Sequence, residues 1–205
     1  MTIELLHQDC MTYMKGCEDN AFDLAIVDPP YGIGNWVQTS GNVRGESVGW
    51  NESIPSCDYF EQLRRVSRHR IIWGANYYGQ IDGRAGAIVW NKGVPRESNM
   101  SICEIASYDR LARVDYVDLK WQNINRKEIV IHPCQKPVKL YDWLLTNYAK
   151  EGDRILDTHL GSGSSAIAAH YGGFDFVGME IDEDYYNAAC KRFEAETAQL
   201  DIFGQ

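Results

Sequence analysis

Apolar residues in this chain fall into short runs separated by stretches with helical spacing. Strands are predicted at residues 3–6, 24–27, 71–73, 87–90, 103–106, 154–156 and 174–179. These runs are short and rich in Ile, Leu and Val, the pattern of strands covered on both faces. Helices are predicted at 59–67, 138–148, 164–171 and 184–197; the second carries Leu140, Trp143, Leu144 and Tyr148 on one side. Strands alternating with helices predict an α/β fold around a mostly parallel sheet. Two stretches break the pattern, the Gly-, Asn- and Ser-rich 34–56 and the polar 110–131, and both read as excursions from the sheet.

A chain of 205 residues suits one such domain. No apolar run is long enough to cross a bilayer, and the first nine residues lack the basic and small-residue pattern of a signal peptide. Six scattered cysteines without CxxC spacing suggest reduced thiols in the cytoplasm, and no cysteine–histidine cluster has metal-ligand spacing, so no metal is expected. Cys10, Cys103 and Cys190 read as small core residues. The net charge of -9 speaks against a nucleic-acid partner, but its distribution softens that objection. Residues 175–205 hold eight acids and two bases, whereas 110–139 hold seven bases and three acids. Arg64, Arg65, Arg68 and Arg70 add a further basic group.

Two constellations carry candidate chemistry. In the first, the strand at 154–156 ends at Asp157 and leads through Thr158, His159, Leu160, Gly161, Ser162 and Gly163 into a helix beginning at Ser164. Glycines let backbone approach a ligand, and open α/β sheets bind nucleotides at the carboxyl ends of their strands. Neither GxGxxG nor GxxxxGK[ST] is present, which weakens dinucleotide and ATP readings. The next strand ends at Glu180-Ile181, an acid placed to grip ribose hydroxyls. In the second constellation, Asp28-Pro29-Pro30-Tyr31 follows the strand at 24–27. Prolines remove donors, so the carbonyls of Asp28 and Pro29 can accept hydrogen bonds beside the Asp28 carboxylate and the Tyr31 ring. That set suits a planar amine.

The order of these motifs resembles the amino-methylating DNA methyltransferases, N6-adenine and N4-cytosine types, in their permuted β-class arrangement. Asp28-Pro29-Pro30-Tyr31 comes first, then His132-Pro133-Cys134-Gln135-Lys136-Pro137, then Leu156–Ser164, then Val177-Gly178-Met179-Glu180. Ile88-Val89-Trp90-Asn91-Lys92 also resembles a strand of these enzymes. The resemblance implies a Rossmann-like methyltransferase fold, with a seven-stranded mostly parallel sheet and one antiparallel strand. It implies S-adenosylmethionine as cofactor and a flipped DNA base as substrate. Asp28, Pro29, Pro30 and Tyr31 would be catalytic, and Asp28 would also contact the cofactor. Glu180 and Ile181 would lie at the ribose, and Asp9 and Cys10 at the cofactor adenine. Asp157, His159, Gly161, Ser162, Gly163 and Ser164 would wrap the methionine end, with Gln135 and Lys136 closing over it.

The chain departs from the family where Thr158-His159 replaces Pro-Phe, Ser164 replaces Thr and Cys134 replaces Thr. His159 reads either as a ligand contact or as a histidine hydrogen-bonded to backbone. Aspartate at position 28 favours adenine N6, since the cytosine enzymes often carry serine there. N4-cytosine methylation is the alternative, as is a non-catalytic nucleic-acid-binding subunit on the same fold. DNA reading is assigned to the two excursions, through Asn35, Trp36, Gln38, Asn42 and Arg44 and through Arg110, Arg113, Lys120, Trp121, Gln122, Asn123 and Arg126. Their brevity implies a short recognition sequence, relaxed specificity, or a second subunit in a homodimer.

Overall fold

The computed structural model describes residues 1–34, 51–79, 86–97, 101–120 and 130–198. Eight strands form one sheet: β1 (Ile3–His7), β2 (Phe22–Val27), β3 (Ser67–Trp73), β4 (Ala87–Asn91), β5 (Cys103–Tyr108), β6 (Val114–Asp118), β7 (Arg154–Asp157) and β8 (Asp175–Glu180). Their order is β1-β8-β7-β2-β3-β5-β4-β6. β5 runs antiparallel to both β3 and β4, and every other neighbouring pair is parallel. The single reversed strand and the mostly parallel sheet are as expected; the count is eight rather than seven.

The extra strand is β6, inside the stretch expected to be an excursion. Its sequence is VDYVD, and only Val117 is buried. An edge strand needs no apolar face, and its aspartates blunt pairing with another chain, so its composition hides its structure. Asn35, Trp36, Gln38, Asn42, Arg44, Trp121, Gln122, Asn123 and Arg126 lie outside the described residues.

Six helices cover the described parts of the sheet: α1 (Cys10–Gly16), α2 (Cys57–Val66), α3 (Ala75–Tyr78), α4 (Val138–Tyr148), α5 (Ser164–Gly172) and α6 (Glu183–Thr197). Alternation along the central strands divides the core. Leu24 and Ile26 join Ile71, Trp73, Leu140, Leu144 and the alanines of α5 on one face. Ala25 and Val27 join Met14, Phe60, Leu63 and Tyr78 on the other. α1 and α3 escape a periodicity reading because they are short; α1 buries only Met14 and α3 has four residues. Of the cysteines expected in the core, Cys10, Cys103 and Cys190 are only half-buried, and all six cysteines are free thiols.

Capping residues fix where the helices start. Ser56 accepts from the Tyr59 amide at the head of α2. Asp182 accepts from the Asp184 and Tyr185 amides at the head of α6. From the central pair β7 and β2 the chain proceeds outward in opposite directions, to β8 and to β3. That divergence opens a crevice at the carboxyl ends of β7 and β2, where such sheets bind ligands.

Candidate active site

Asp28 leaves the sheet at the end of β2, and the loop it begins is held from three sides. The Tyr78 hydroxyl of α3 donates to the Pro29 carbonyl (2.5 Å) and the Pro30 carbonyl (3.0 Å). The Tyr31 amide donates to Asn51 Oδ1 (2.9 Å), and Asn51 Nδ2 donates to the Gly34 carbonyl (3.1 Å). The Tyr31 ring lies against Gly74, where an added Cβ would sit 2.3 Å from Cε1 of the ring. Gly74 also has φ +74°, so glycine is required there on two counts. The ring expected to stack on a base stacks here on Tyr77, with centroids 4.8 Å apart and planes 15° apart.

Below the ring is a buried charge cluster. The Tyr31 hydroxyl donates to Asp28 Oδ1 at 2.6 Å. Lys136 Nζ, from the turn before α4, lies 2.5 Å from Asp28 Oδ2 and 3.0 Å from Glu104 Oε2 on β5. Lys92, just past β4, holds the other Glu104 oxygen at 2.9 Å. Burial pushes the Glu104 carboxyl up, but the two ammoniums outweigh it and hold it at about 2. Asp28 stays above its ordinary range, because burial and the Glu104 charge together exceed what a shared Lys136 returns. Lys136 is held charged by the two carboxylates despite burial. Its ammonium therefore sits on Asp28 and Glu104.

The glycine turn lies at the neighbouring strand end. Asp157, the last residue of β7, accepts from the Ser165 hydroxyl (2.6 Å) and the His159 amide (3.0 Å). Burial still pushes its carboxyl up to about 7. Gly161 and Gly163 adopt φ of +53° and +76°. Ser162 and Ser164 share a hydroxyl contact at 3.1 Å, and the buried Arg192 of α6 donates to the Ser162 carbonyl (2.9 Å) and Ser164 Oγ (2.8 Å). Glu180 ends β8; its oxygens accept from the amides of Gly161 (2.9 Å), Ile181 (2.9 Å) and Asp182 (3.0 Å). The Ile181 side chain is exposed beside it. Asp9 caps α1 by accepting from the Thr12 amide and hydroxyl, both at 2.8 Å. Cys10 follows, its thiol pushed up to about 12 by burial.

The family departure at 158–159 has a local use. Thr158 Oγ1 meets the Tyr59 hydroxyl at 2.7 Å and His159 Nδ1 at 2.9 Å, so His159 bonds to a side chain rather than to backbone through that nitrogen. Burial lowers the His159 pKa to about 4, leaving the ring neutral. Gln135 is buried and accepts from the Ile131 amide at 3.1 Å.

The parallel register places Asp157, Glu180 and Asp28 on one edge of the sheet. His7 pairs with Glu180, Asp157 with Gly178, and Ala25 with Leu156, so β1, β8, β7 and β2 end together. The Asp28 charge raises the Asp157 pKa, which puts the two expected half-sites within electrostatic reach. One edge of the sheet thus carries the Asp28 carboxylate, the Tyr31 ring, the Asp157–Ser164 glycine turn and Glu180. Residues that motif reading missed are Glu104, Tyr77, Tyr78, Asn51 and Arg192. A glutamate inside the strand 103–108 was a visible signal, because an acid in a central strand needs a partner.

Comparison with known proteins agrees with this geometry. The N6/N4 DNA methylase family model matches residues 72–191. Type II methyltransferase M2.DpnII of Streptococcus pneumoniae is 42% identical over 94% of this chain and 90% of its own length. Type II methyltransferase M.HpaI of Haemophilus parainfluenzae is 22% identical over 98% of this chain and 77% of its own length. Among solved structures, the M1.HpyAVI–SAM complex superposes with a TM-score of 0.62 at 17% identity, covering 93% of this chain and 100% of that one. With a family match over more than half of the chain and a 42% identical relative covering nearly all of it, the chain belongs to the N6/N4 family of DNA methylases.

Proposed function

We propose that this protein transfers a methyl group from S-adenosylmethionine to the exocyclic N6 amine of adenine in DNA. The observation that carries the reading is the Asp28 carboxylate at the end of β2, beside the Asp157–Ser164 turn at the end of β7. The residues present fit the cofactor. Glu180 is held rigid by three amide donors: Oε1 accepts from two, whereas Oε2 accepts from one and keeps a lone pair for a ribose hydroxyl. Asp9, Cys10 and Ile181 would flank that end; Asp157, His159, Gly161, Ser162, Gly163, Ser164 and Gln135 would hold the other. A cationic ligand end would also suit Asp157, whose buried carboxyl lacks a cationic partner among the described contacts. When bound, S-adenosylmethionine supplies an electrophilic sulfonium methyl.

The chain's own groups prepare the nucleophile. An exocyclic base amine is weakly nucleophilic because its lone pair is delocalised into the ring. Asp28 accepts an N–H of the amine, drawing the nitrogen toward tetrahedral geometry and localising the pair. The same carboxylate stabilises positive charge as it grows on nitrogen, and its raised pKa lets it hold the departing proton. The Pro29 carbonyl keeps a second lone pair beyond its bond to Tyr78 and is the other acceptor. Tyr31 stacks on the extruded base, which requires Tyr77 to yield that face. Stacking contributes about 1–3 kcal/mol per base toward the cost of flipping.

DNA enters over the loops after β2, β4 and β6. Lys120, after β6, offers a cationic side chain there. Arg110 and Arg113, expected to read DNA, lie instead in the β5–β6 connection at the opposite edge of the sheet, because β5 runs antiparallel, and Arg113 is paired with Asp115 at 2.6 Å. A homodimer, in which a second copy extends these short excursions, and a cytoplasmic setting belong to the same reading. Among the described residues no helix is long and apolar enough to cross a membrane.

The test is nucleoside analysis of DNA from cells expressing the protein. N6-methyladenine is expected with the wild type and none with Asp28→Ala, while calorimetry shows the variant still binding S-adenosylmethionine. N4-methylcytosine would overturn the base assignment. Near-wild-type methylation by Asp28→Ala would overturn the mechanism.

A further inference from the structure

The Lys136 ammonium is poised between two carboxylates, 2.5 Å from Asp28 and 3.0 Å from Glu104. Its side chain is only 4% exposed, and its Nζ lies 5.3 Å from the Trp73 ring centroid and 5.7 Å from that of Tyr31. It is therefore confined to this spot. Lys136 occupies Oδ2 and the Tyr31 hydroxyl occupies Oδ1, leaving one lone pair on each oxygen. A base amine can reach those lone pairs, but the ammonium withdraws charge from the carboxylate and so makes Asp28 a weaker acceptor for the amine while it stays bound. Equally, Lys136 cannot leave Asp28 unless a second anion takes its charge, because an unpaired buried ammonium is costly.

Glu104 is that second anion. Lys136 already touches one of its oxygens, and Lys92 fixes the other at 2.9 Å. A handover therefore needs only a small shift of Nζ. Two carboxylates and two ammoniums remain within the cluster throughout, so no net charge is exposed to the apolar surroundings.

We propose that Glu104 is a positioning residue for methyl transfer: it takes over the Lys136 ammonium when the target amine binds Asp28, freeing Asp28 as the acceptor. This rests on Asp28 being the amine acceptor in the function proposed above. Glu104 touches neither substrate nor cofactor; it acts through Lys136.

The handover predicts opposite effects of two substitutions on pH dependence. Glu104→Gln removes the neighbouring negative charge and leaves Lys136 to Asp28 alone, so the acid limb of kcat/KM moves to lower pH. Lys136→Met leaves two adjacent carboxylates, so the limb moves to higher pH. Besides Lys136 and Glu104, the titratable groups bearing on Asp28 are Tyr31, Tyr59, Tyr78, Cys134, Tyr141 and Asp157. The phenols and the thiol are pushed up and stay neutral; Asp157, which responds to the Asp28 charge, is removed as a source of the difference by repeating the profiles in an Asp157→Asn background.

The experiment is steady-state methylation of duplex DNA by the full chain, across pH, for wild type, Glu104→Gln, Lys136→Met and the double variant. Glu104→Gln should lose at least about tenfold in kcat while binding S-adenosylmethionine normally. The double variant should recover much of that loss, because the competing ammonium is gone. A purely structural glutamate would recover stability in the double variant, since removing the ammonium restores charge balance, so rescue is read in kcat at saturation on folded protein whose melting temperature is measured alongside. A double variant no faster than Glu104→Gln, or an acid limb that stays put in both single variants, overturns the proposal. Should Glu104→Gln not fold, the Lys136→Met limb decides alone. Failure of the wild type to methylate any base amine would instead sink the function itself.

Discussion

Replacing Gly74 by alanine tests whether the Tyr31 ring is held where the chemistry needs it. Two penalties apply. The residue has φ +74°, and left-handed backbone disfavours a side chain by about 1–2 kcal/mol. The new Cβ would also lie 2.3 Å from Tyr31 Cε1 and 2.6 Å from Cδ1, an overlap that must be relieved. The ring cannot yield alone, because its hydroxyl is on Asp28 and its face is on Tyr77. Overpacking of this kind costs about 1–3 kcal/mol, so the loss should reach about 2–5 kcal/mol in all. Gly79→Ala is the control: its φ is +62°, but nothing lies within 4 Å of an added Cβ, so only the backbone penalty of about 1–2 kcal/mol applies. Urea unfolding measures both. Single-turnover methylation should then fall by on the order of 10²-fold for Gly74→Ala, as reacting groups shift by about an ångström, and stay near wild type for Gly79→Ala. Equal stability losses for the two variants, or a Gly74→Ala enzyme with wild-type turnover, would refute the reasoning.

Two further outcomes are expected. Arg192→Met removes the donor that ties the Ser162 carbonyl to Ser164, so calorimetry should show S-adenosylmethionine binding weakened about tenfold, with kcat at saturation little changed. The second concerns acid stability. His159 is depressed to about 4 in the folded chain against 6.5 unfolded, so the unfolded state binds more protons between those values and stability falls as pH drops through that window. His132, depressed to about 4 by burial, adds in the same direction, whereas Asp157, raised to about 7, stabilises the folded state at low pH and lessens the slope. Melting temperatures of His159→Asn should therefore decline less than those of the wild type between pH 6.5 and 4; an identical decline would contradict the assignment.

The motifs were legible in the sequence because each is a local device. Proline pairs, glycines with positive φ and acids at strand ends act within a few residues of their own backbone, so Asp28-Pro29-Pro30-Tyr31 and Asp157–Ser164 could be recognised without knowing what lay beside them. Apolar runs along β2, β3, β7 and β8 were legible for the same reason, since a strand buried on both faces has little choice of residue. The edge strand β6 was not, because half of it faces solvent.

What only the tertiary structure decided is which residues meet across sequence distance. Glu104 and Lys136 are 32 positions apart, and Lys136 and Asp28 are 108 apart, yet one ammonium joins them. A pattern read along the chain records what each residue is, whereas the charge a buried lysine answers to depends on which strands the sheet lays side by side. β5 reverses direction between β3 and β4, and that single inversion carries Glu104 to the carboxyl end of β2. Desolvation then makes the pairing obligatory, which is why the control of Asp28 resides in the fold rather than in the motif that contains it.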